Sequence, residues 1–249
     1  MAGSPVGPDP ADGHPALSGR AGGLSFPVNL EFFGLILLAY FLGSIPTAVI
    51  VGRILGVDVR RTGSGNPGAA NMARVTGRRS WGAFVLLIDA LKGFLPARLG
   101  AVALAALGSF PAGLDAWTVR VILGAAAILG HVTSPVLGFR GGKGVATSLG
   151  VVLALAPIIG LVCFALWALM AELTRRISVS SLAAGLAFPA LLHLAPNTHP
   201  AVQTFAWLVP LFLTFTHRKN LLRLVRGNEP AIPSERLVRN FLGKRNGRK

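Results

Sequence analysis

Three short stretches of this chain carry residue types suited to holding phosphate. The first runs Arg60-Arg61-Thr62-Gly63-Ser64-Gly65-Asn66-Pro67-Gly68 and continues to Asn71 and Arg74. Glycines at 63, 65 and 68 let backbone N–H groups turn inward into an anion-binding nest, Ser64 and Asn66 can donate further hydrogen bonds, and Arg74 can grip a phosphate bidentately. An ordinary Gly/Asn/Ser turn capping the next helix is the alternative reading. The second stretch, Gly138-Phe139-Arg140-Gly141-Gly142-Lys143-Gly144, leads into Val145-Ala146-Thr147. A helix N-terminus after a glycine loop favours an anion. The Walker A spacing is absent, because Lys143 is followed by Gly144 and not by Ser or Thr, so ATP binding is poorly supported. A basic interfacial turn is the competing account.

The third stretch, from His217 to Glu229, closes the last apolar run. His217 and Asn220 stand three apart, on one helical face with Leu224, and can reach one substrate. A basic helix snorkelling to lipid headgroups would have the same composition. Glu229, the only acid in 173–234, is placed to pair with an arginine or to orient an alcohol.

These elements must be positioned by a membrane-embedded scaffold. Of 249 residues, 52% are apolar and 13% charged, and the mean hydropathy is +0.62. That is too apolar for an ordinary soluble domain. Twenty of the 24 Lys and Arg residues lie in four stretches, 53–79, 138–143, 175–176 and 217–249, at the ends of apolar runs. There they orient helices and meet anionic lipid, so the formal charge of +15 does not call for nucleic acid.

Apolar runs near 29–52, 81–111, 117–137, 145–156, 157–173, 178–195 and 201–216 predict an all-α integral membrane protein. Pro96 and Arg98 predict that the second run crosses once and leaves a short outer helix near 99–111. Pro157 separates the fourth run from the fifth. Placing Arg140 and Lys143 on the same side as Arg218, Lys219, Arg223 and Arg226 requires an even number of crossings between them. Counting the fourth and fifth runs separately meets this condition and puts Arg175 and Arg176 on that side too. The expected fold is a seven-transmembrane-helix bundle with its N-terminus outside and glycine-rich loops facing the cytoplasm. Five crossings is the alternative if short segments are re-entrant. Residues 1–26 read as a disordered tail, 27–230 as the membrane domain and 231–249 as a basic tail.

Within the second run, Asp89 and Lys92 stand three apart at membrane depth, where a lone charge is costly. They either neutralise each other or hold a glycine loop from below. His131 reads as a hydrogen-bonded core histidine, and His193 and His199 as surface or interface residues. The single cysteine, Cys163, has no disulfide or metal partner. The loops offer cations and amides, not carboxylates, so no metal or cofactor is expected.

In order along the chain, Gly43-Ser44-Ile45-Pro46, Gly63-Ser64-Gly65-Asn66 with Gly68-Ala69 and Asn71, Asp89-Ala90-Leu91-Lys92-Gly93, Gly130-His131, Gly141-Gly142-Lys143-Gly144-Val145-Ala146-Thr147 and His217-Arg218 with Asn220 and Gly227 strongly resemble the PlsY family. These are the acyl-phosphate:glycerol-3-phosphate acyltransferases of bacterial inner membranes. The resemblance covers about residues 30–230 and implies a seven-helix bundle whose three signature elements meet at the cytoplasmic side. It implies acyl transfer from acyl phosphate to the 1-hydroxyl of glycerol 3-phosphate, giving lysophosphatidic acid and phosphate as the first step of phospholipid biosynthesis, with an acyl-phosphate synthase as supplier. By motif position it implies Ser64, Arg74, Lys143, His217 and Asn220 as catalytic residues. Gly63, Gly65, Asn66, Gly68, Asn71, Gly141, Gly142, Gly144, Thr147, Arg218 and Glu229 are the implied substrate-binding set. A phosphate or organophosphate carrier is the rival class, weakened by the absence of an internal repeat; a noncatalytic lipid-binding scaffold is another.

Overall fold

The computed structural model describes residues 29–231, all of them helix or connection. The expected N-terminal tail, residues 1–26, and all but Ala231 of the expected C-terminal tail, residues 231–249, lie outside the described residues. Ten α-helices follow one another: α1 Leu30–Ser44, α2 Thr47–Ile54, α3 Ala69–Thr76, α4 Arg79–Ala106, α5 Ala116–Val132, α6 Val145–Leu155, α7 Pro157–Thr174, α8 Ile177–His193, α9 Pro200–Thr216 and α10 Arg218–Val225.

Among bilayer-facing helices apolar burial supplies little drive, so close backbone approach must hold the bundle. Reciprocal glycines provide it. A Cβ on Gly43 of α1 would strike the Ala127 carbonyl of α5, and one on Gly130 of α5 would strike the Tyr40 carbonyl of α1. In α4 and α6, Gly93 lies against the Thr147 carbonyl and Gly150 against that of Ala90. Any larger residue would push these helix pairs apart.

Pro46 interrupts the first apolar run, and two side chains satisfy carbonyls at the break. Lys92 Nζ donates to the Ile45 carbonyl at 2.7 Å, and Ser134 Oγ donates to that of Ser44 at 2.6 Å. In lipid such carbonyls cannot be left bare. Lys92 also forms a 2.7 Å ion pair with Asp89 Oδ1, so the pair neutralises itself and braces the break.

The outer helix expected near 99–111 does not form. α4 continues through Pro96 to Ala106, because Gly93 and Gly100 seat it on α6 and α5 on either side of the proline. Packing against neighbouring helices overrides the local tendency to break.

Leu30–Ile54, Ala116–Leu137 and Pro157–Thr174 are each long and apolar enough to cross a membrane, and α6, α8 and α9 are shorter apolar helices. With 11 residues, α6 is about 16 Å long, half the thickness of a hydrocarbon core. At one end of the bundle Asn29 Nδ2 donates to the Ser109 carbonyl at 2.6 Å, and His199 Nε2 stands 3.4 Å from Asp115. The other end gathers the glycine loops, the 171–178 turn and α10 around one cavity.

Candidate active site

The cavity, of about 360 Å3, is lined by the polar residues Ser64, Arg74, Lys143, His217, Asn220 and Glu229 and by the apolar residues Ala83, Leu86, Phe164 and Trp167. The sequence-predicted catalytic set thus converges on one space, although its members are up to 156 positions apart, from Ser64 to Asn220.

The first loop is folded around Asn71, which is buried. Its Oδ1 accepts from the Ser64 N–H at 2.8 Å, while Nδ2 donates to the carbonyls of Val59 at 2.7 Å and Thr62 at 3.1 Å. Gly63 takes φ +63°, and a Cβ there would strike Asn71 Oδ1. The Gly65 N–H is spent on the Thr62 carbonyl and the Gly68 N–H on that of Asn66. Several donors expected to form a nest are therefore used inside the loop. What faces the cavity is Ser64, Asn66 and the opening turn of α3 at Gly68, Ala69 and Ala70, whose N-terminal dipole favours an anion. Asn71 also borders the cavity, but both Nδ2 hydrogens are spent inside the loop, so it positions these groups and cannot donate to a phosphate.

A second correction concerns Gly141 and Gly142. Their N–H groups donate to the Val132 and His131 carbonyls at 2.9 and 3.0 Å, closing the frayed end of α5. A Cβ on Gly141 would collide with the His131 carbonyl, and one on Gly142 with His131 Nε2. They seat the loop and do not line the cavity. Neither does Thr147, which is fully buried with its carbonyl against Gly93. Gly144, at φ +81°, starts α6 so that Val145 and Ala146 of its first turn face the cavity. Two helix N-termini thus point at the same space.

Lys143 reaches across to α10, where its Nζ donates to Asn220 Oδ1 at 2.5 Å. Asn220 Nδ2 donates to Glu229 Oε1 at 2.5 Å. Ser178 Oγ also donates to Oε1 at 2.9 Å, and Arg223 Nε donates to Oε2 at 2.8 Å. Glu229 is therefore the keystone of the cationic wall, and both of its oxygens already accept hydrogen bonds. Burial raises its pKa, but the hydrogen bonds from Arg223, Asn220 and Ser178 outweigh that and hold it below the usual value. Burial drives the Lys143 ammonium down to about 8, with Arg223 and Arg74 adding to the fall against the pull of Glu229. Burial likewise lowers Arg74, yet a guanidinium stays charged. Its buried Nε has no hydrogen-bond partner among the described residues, and the residue borders the cavity.

His217 is 1% exposed. Its Nδ1 lies 2.9 Å from the Leu213 carbonyl, which only accepts, so the neutral ring carries its proton on Nδ1 and leaves Nε2 as acceptor. Burial and then Lys143 lower its pKa to about 4, with the Leu213 hydrogen bond and Glu229 opposing. Arg218, one residue on, turns to the opposite side of α10. It is exposed, donates to the Phe215 carbonyl at 2.9 Å and lies over the Phe215 ring, away from the cavity lining.

At the cavity floor Asp89 and His131 appear together, His131 Nδ1 3.9 Å from Asp89. Because the His131 carbonyl also holds Gly142, the buried pair supports the second glycine loop from below. The expected pairing of Glu229 with an arginine is met by Arg223, while sequence reasoning missed Ser178 as its further support. The signal for Ser178 was a polar run, Ser178, Ser180 and Ser181, opening an apolar helix.

A helical bundle with reciprocal glycine packing, crossing-length apolar segments and a polar cavity lined by four cations, Arg74, Arg79, Lys143 and Arg223, at one end defines an integral membrane protein that handles anionic substrates. The described family "Glycerol-3-phosphate acyltransferase" matches residues 33–227. A glycerol-3-phosphate acyltransferase of Roseiflexus is 46% identical over 81% of this chain and 95% of its own length. One from Aquifex aeolicus is 39% identical over 78% and 96%. Crystal structures of PlsY, an integral membrane glycerol 3-phosphate acyltransferase, superimpose with TM-scores of 0.71 for the glycerol 3-phosphate form and 0.69 for the lysophosphatidic acid form. These share 35% and 34% identity, covering 82% and 84% of this chain and 96% and 98% of theirs. The chain belongs to the glycerol-3-phosphate acyltransferase family and is a membrane acyltransferase.

Proposed function

We propose that this enzyme transfers a fatty acyl group from acyl phosphate to the 1-hydroxyl of glycerol 3-phosphate, releasing lysophosphatidic acid and inorganic phosphate. The observation that carries the reading is the mixed lining of one cavity, a cationic set formed by Arg74, Arg79, Lys143 and Arg223 together with an apolar set that includes Phe164 and Trp167. The first suits two phosphates, and the second suits an acyl tail. That related structures are glycerol 3-phosphate and lysophosphatidic acid forms supports the same substrate and product here.

The mixed anhydride is already activated, so alignment and charge stabilisation are the main tasks. The hydroxyl oxygen bonds to the acyl carbon, the acyl–phosphate C–O bond breaks, and its electrons leave with phosphate. Lys143, held by Asn220, and Arg74 neutralise the phosphates, and Ser64 donates to an oxyanion or phosphate. Among the described residues no base hydrogen-bonds to Ser64 Oγ, which favours direct transfer over an acyl-serine. The hydroxyl proton passes to a substrate phosphate. Glu229 is engaged by three donors, and His217, titrating near 4, orients the alcohol through Nε2.

Seven membrane crossings, with the N-terminus outside and the cavity at the cytoplasmic face of the bacterial inner membrane, suit the gathering of basic loops at one end. An acyl-phosphate synthase would supply the donor there. The test is phosphate release by purified protein given palmitoyl phosphate and glycerol 3-phosphate, with Lys143→Ala as control and lysophosphatidic acid identified as product. Release that needs both substrates and disappears in the control is expected. Folded protein that binds glycerol 3-phosphate without forming product would overturn the reading.

A further inference from the structure

Below the cavity lies a second, smaller chamber of about 50 Å3. It shares Leu86, Val145, Ala146, Phe164 and Trp167 with the cavity above. Its far wall is formed by Val152, Cys163, Ala184, Gly185, Phe188 and Leu213, part of the principal hydrophobic core apart from the two small residues of α8. Small side chains of α8 leave the space open. The Phe188 ring, 1% exposed and edge-on to Phe205, closes its end.

We propose that this chamber receives the terminal methylenes of the acyl tail and that Phe188 and Leu213 set the longest tail accepted. The inference rests on the acyl-transfer reading and deepens it by naming the residues that read chain length. Ser178, tied to Glu229 at the polar end, and Phe188 lie ten residues apart on α8, about 15 Å along its axis. A tail starting at the cationic wall and following α8 between Trp167 and Leu86 meets Phe188 at its end. In lipid the tail gains little by leaving an apolar solvent, so discrimination comes from fit: a chain too long for the chamber must overpack it, and this costs about five- to hundredfold in an equilibrium. A Cβ on Gly185 would already meet Leu213 Cδ1 at 2.8 Å, so α8 has no slack there.

The experiment compares kcat/KM for decanoyl, palmitoyl and stearoyl phosphates in Ala184→Phe, which fills the chamber, and Phe188→Leu, which deepens it. Ala184→Leu replaces the first variant if it does not fold. Thermal stabilisation by decanoyl and palmitoyl lysophosphatidic acids is measured alongside. Filling is expected to lower the palmitoyl-to-decanoyl ratio at least about fivefold in both readouts, and deepening to raise the stearoyl-to-palmitoyl ratio. Unchanged ratios in folded variants overturn the proposal. If acyl phosphates fail as donors while the lysophosphatidic acid ratio still shifts, the donor reading fails and the chamber assignment stands.

Discussion

Lys143 gives the sharpest handle on the chemistry, through pH. Its ammonium titrates near 8 instead of 10.5 because the loop buries it and Arg223 and Arg74 crowd it. If it must be charged to hold a phosphate, the competent fraction of free enzyme is about 90% at pH 7 and about 10% at pH 9. The expected kcat/KM for glycerol 3-phosphate therefore falls about tenfold between those values. No substrate ionisation imitates this, since a phosphate monoester completes its second ionisation near 6. A phosphate bound beside Lys143 favours its charged form, so the alkaline limb of kcat should lie higher than that of kcat/KM. The assay is initial phosphate release from pH 6 to 10, corrected for spontaneous hydrolysis of the donor. Lys143→Arg, which cannot deprotonate in this range, should turn over slowly with no limb near 8. A limb of the same midpoint in Lys143→Arg, or a flat profile in the unmodified enzyme, would refute the argument.

Ser64→Ala should lose about ten- to hundredfold in kcat, the worth of one hydrogen bond to a charged group, with no acyl-enzyme trapped on rapid quench; loss to background would point to a serine nucleophile instead. His217, whose pKa falls from 6.5 to about 4 in the folded chain, gives an acid-side stability limb. Below 6.5 the unfolded chain takes a proton that the folded chain refuses until about 4, so about 3 kcal/mol is lost across that window as pH falls. Thermal midpoints should show it, and His217→Gln should remove it. Gly142→Ala should destabilise by about 1–3 kcal/mol, because its methyl collides with the His131 ring. Gly138→Asn, at φ +62° with open space, should be tolerated in the same melting assay.

The sequence made some of this legible because the relevant physics is local or compositional. Pro157 marked the α6–α7 division because it opens a helix, and Asp89 and Lys92 announced their pairing through helical spacing and the cost of charge at depth. Pro96 misled for a related reason: whether a proline breaks a helix depends on Gly93 and Gly100 seating both halves on neighbours, which no local pattern records. The glycine loops were located correctly, but the expectation that their amides face a ligand did not survive at Gly141 and Gly142. Their N–H groups are taken by carbonyls at the end of α5, a partner choice made only in three dimensions. Arg218 and His217 are adjacent in sequence and opposite in role because α10 turns one of them out. The sequence called for an arginine opposite Glu229 without saying which, and only the polar run opening α8 hinted at Ser178, since each acts through Glu229.

The carboxylate of Glu229 lies beyond α10, yet it ties α8 to α10 and, through Asn220, steadies Lys143. Synthesis delivers the cations first and their shared counter-charge last. A nascent chain halted after α9 would hold Arg74 and Lys143 in a half-built wall with nothing to set their spacing. The wall is therefore complete only once the chain has been made through Glu229 and α8 and α10 have closed on its carboxylate.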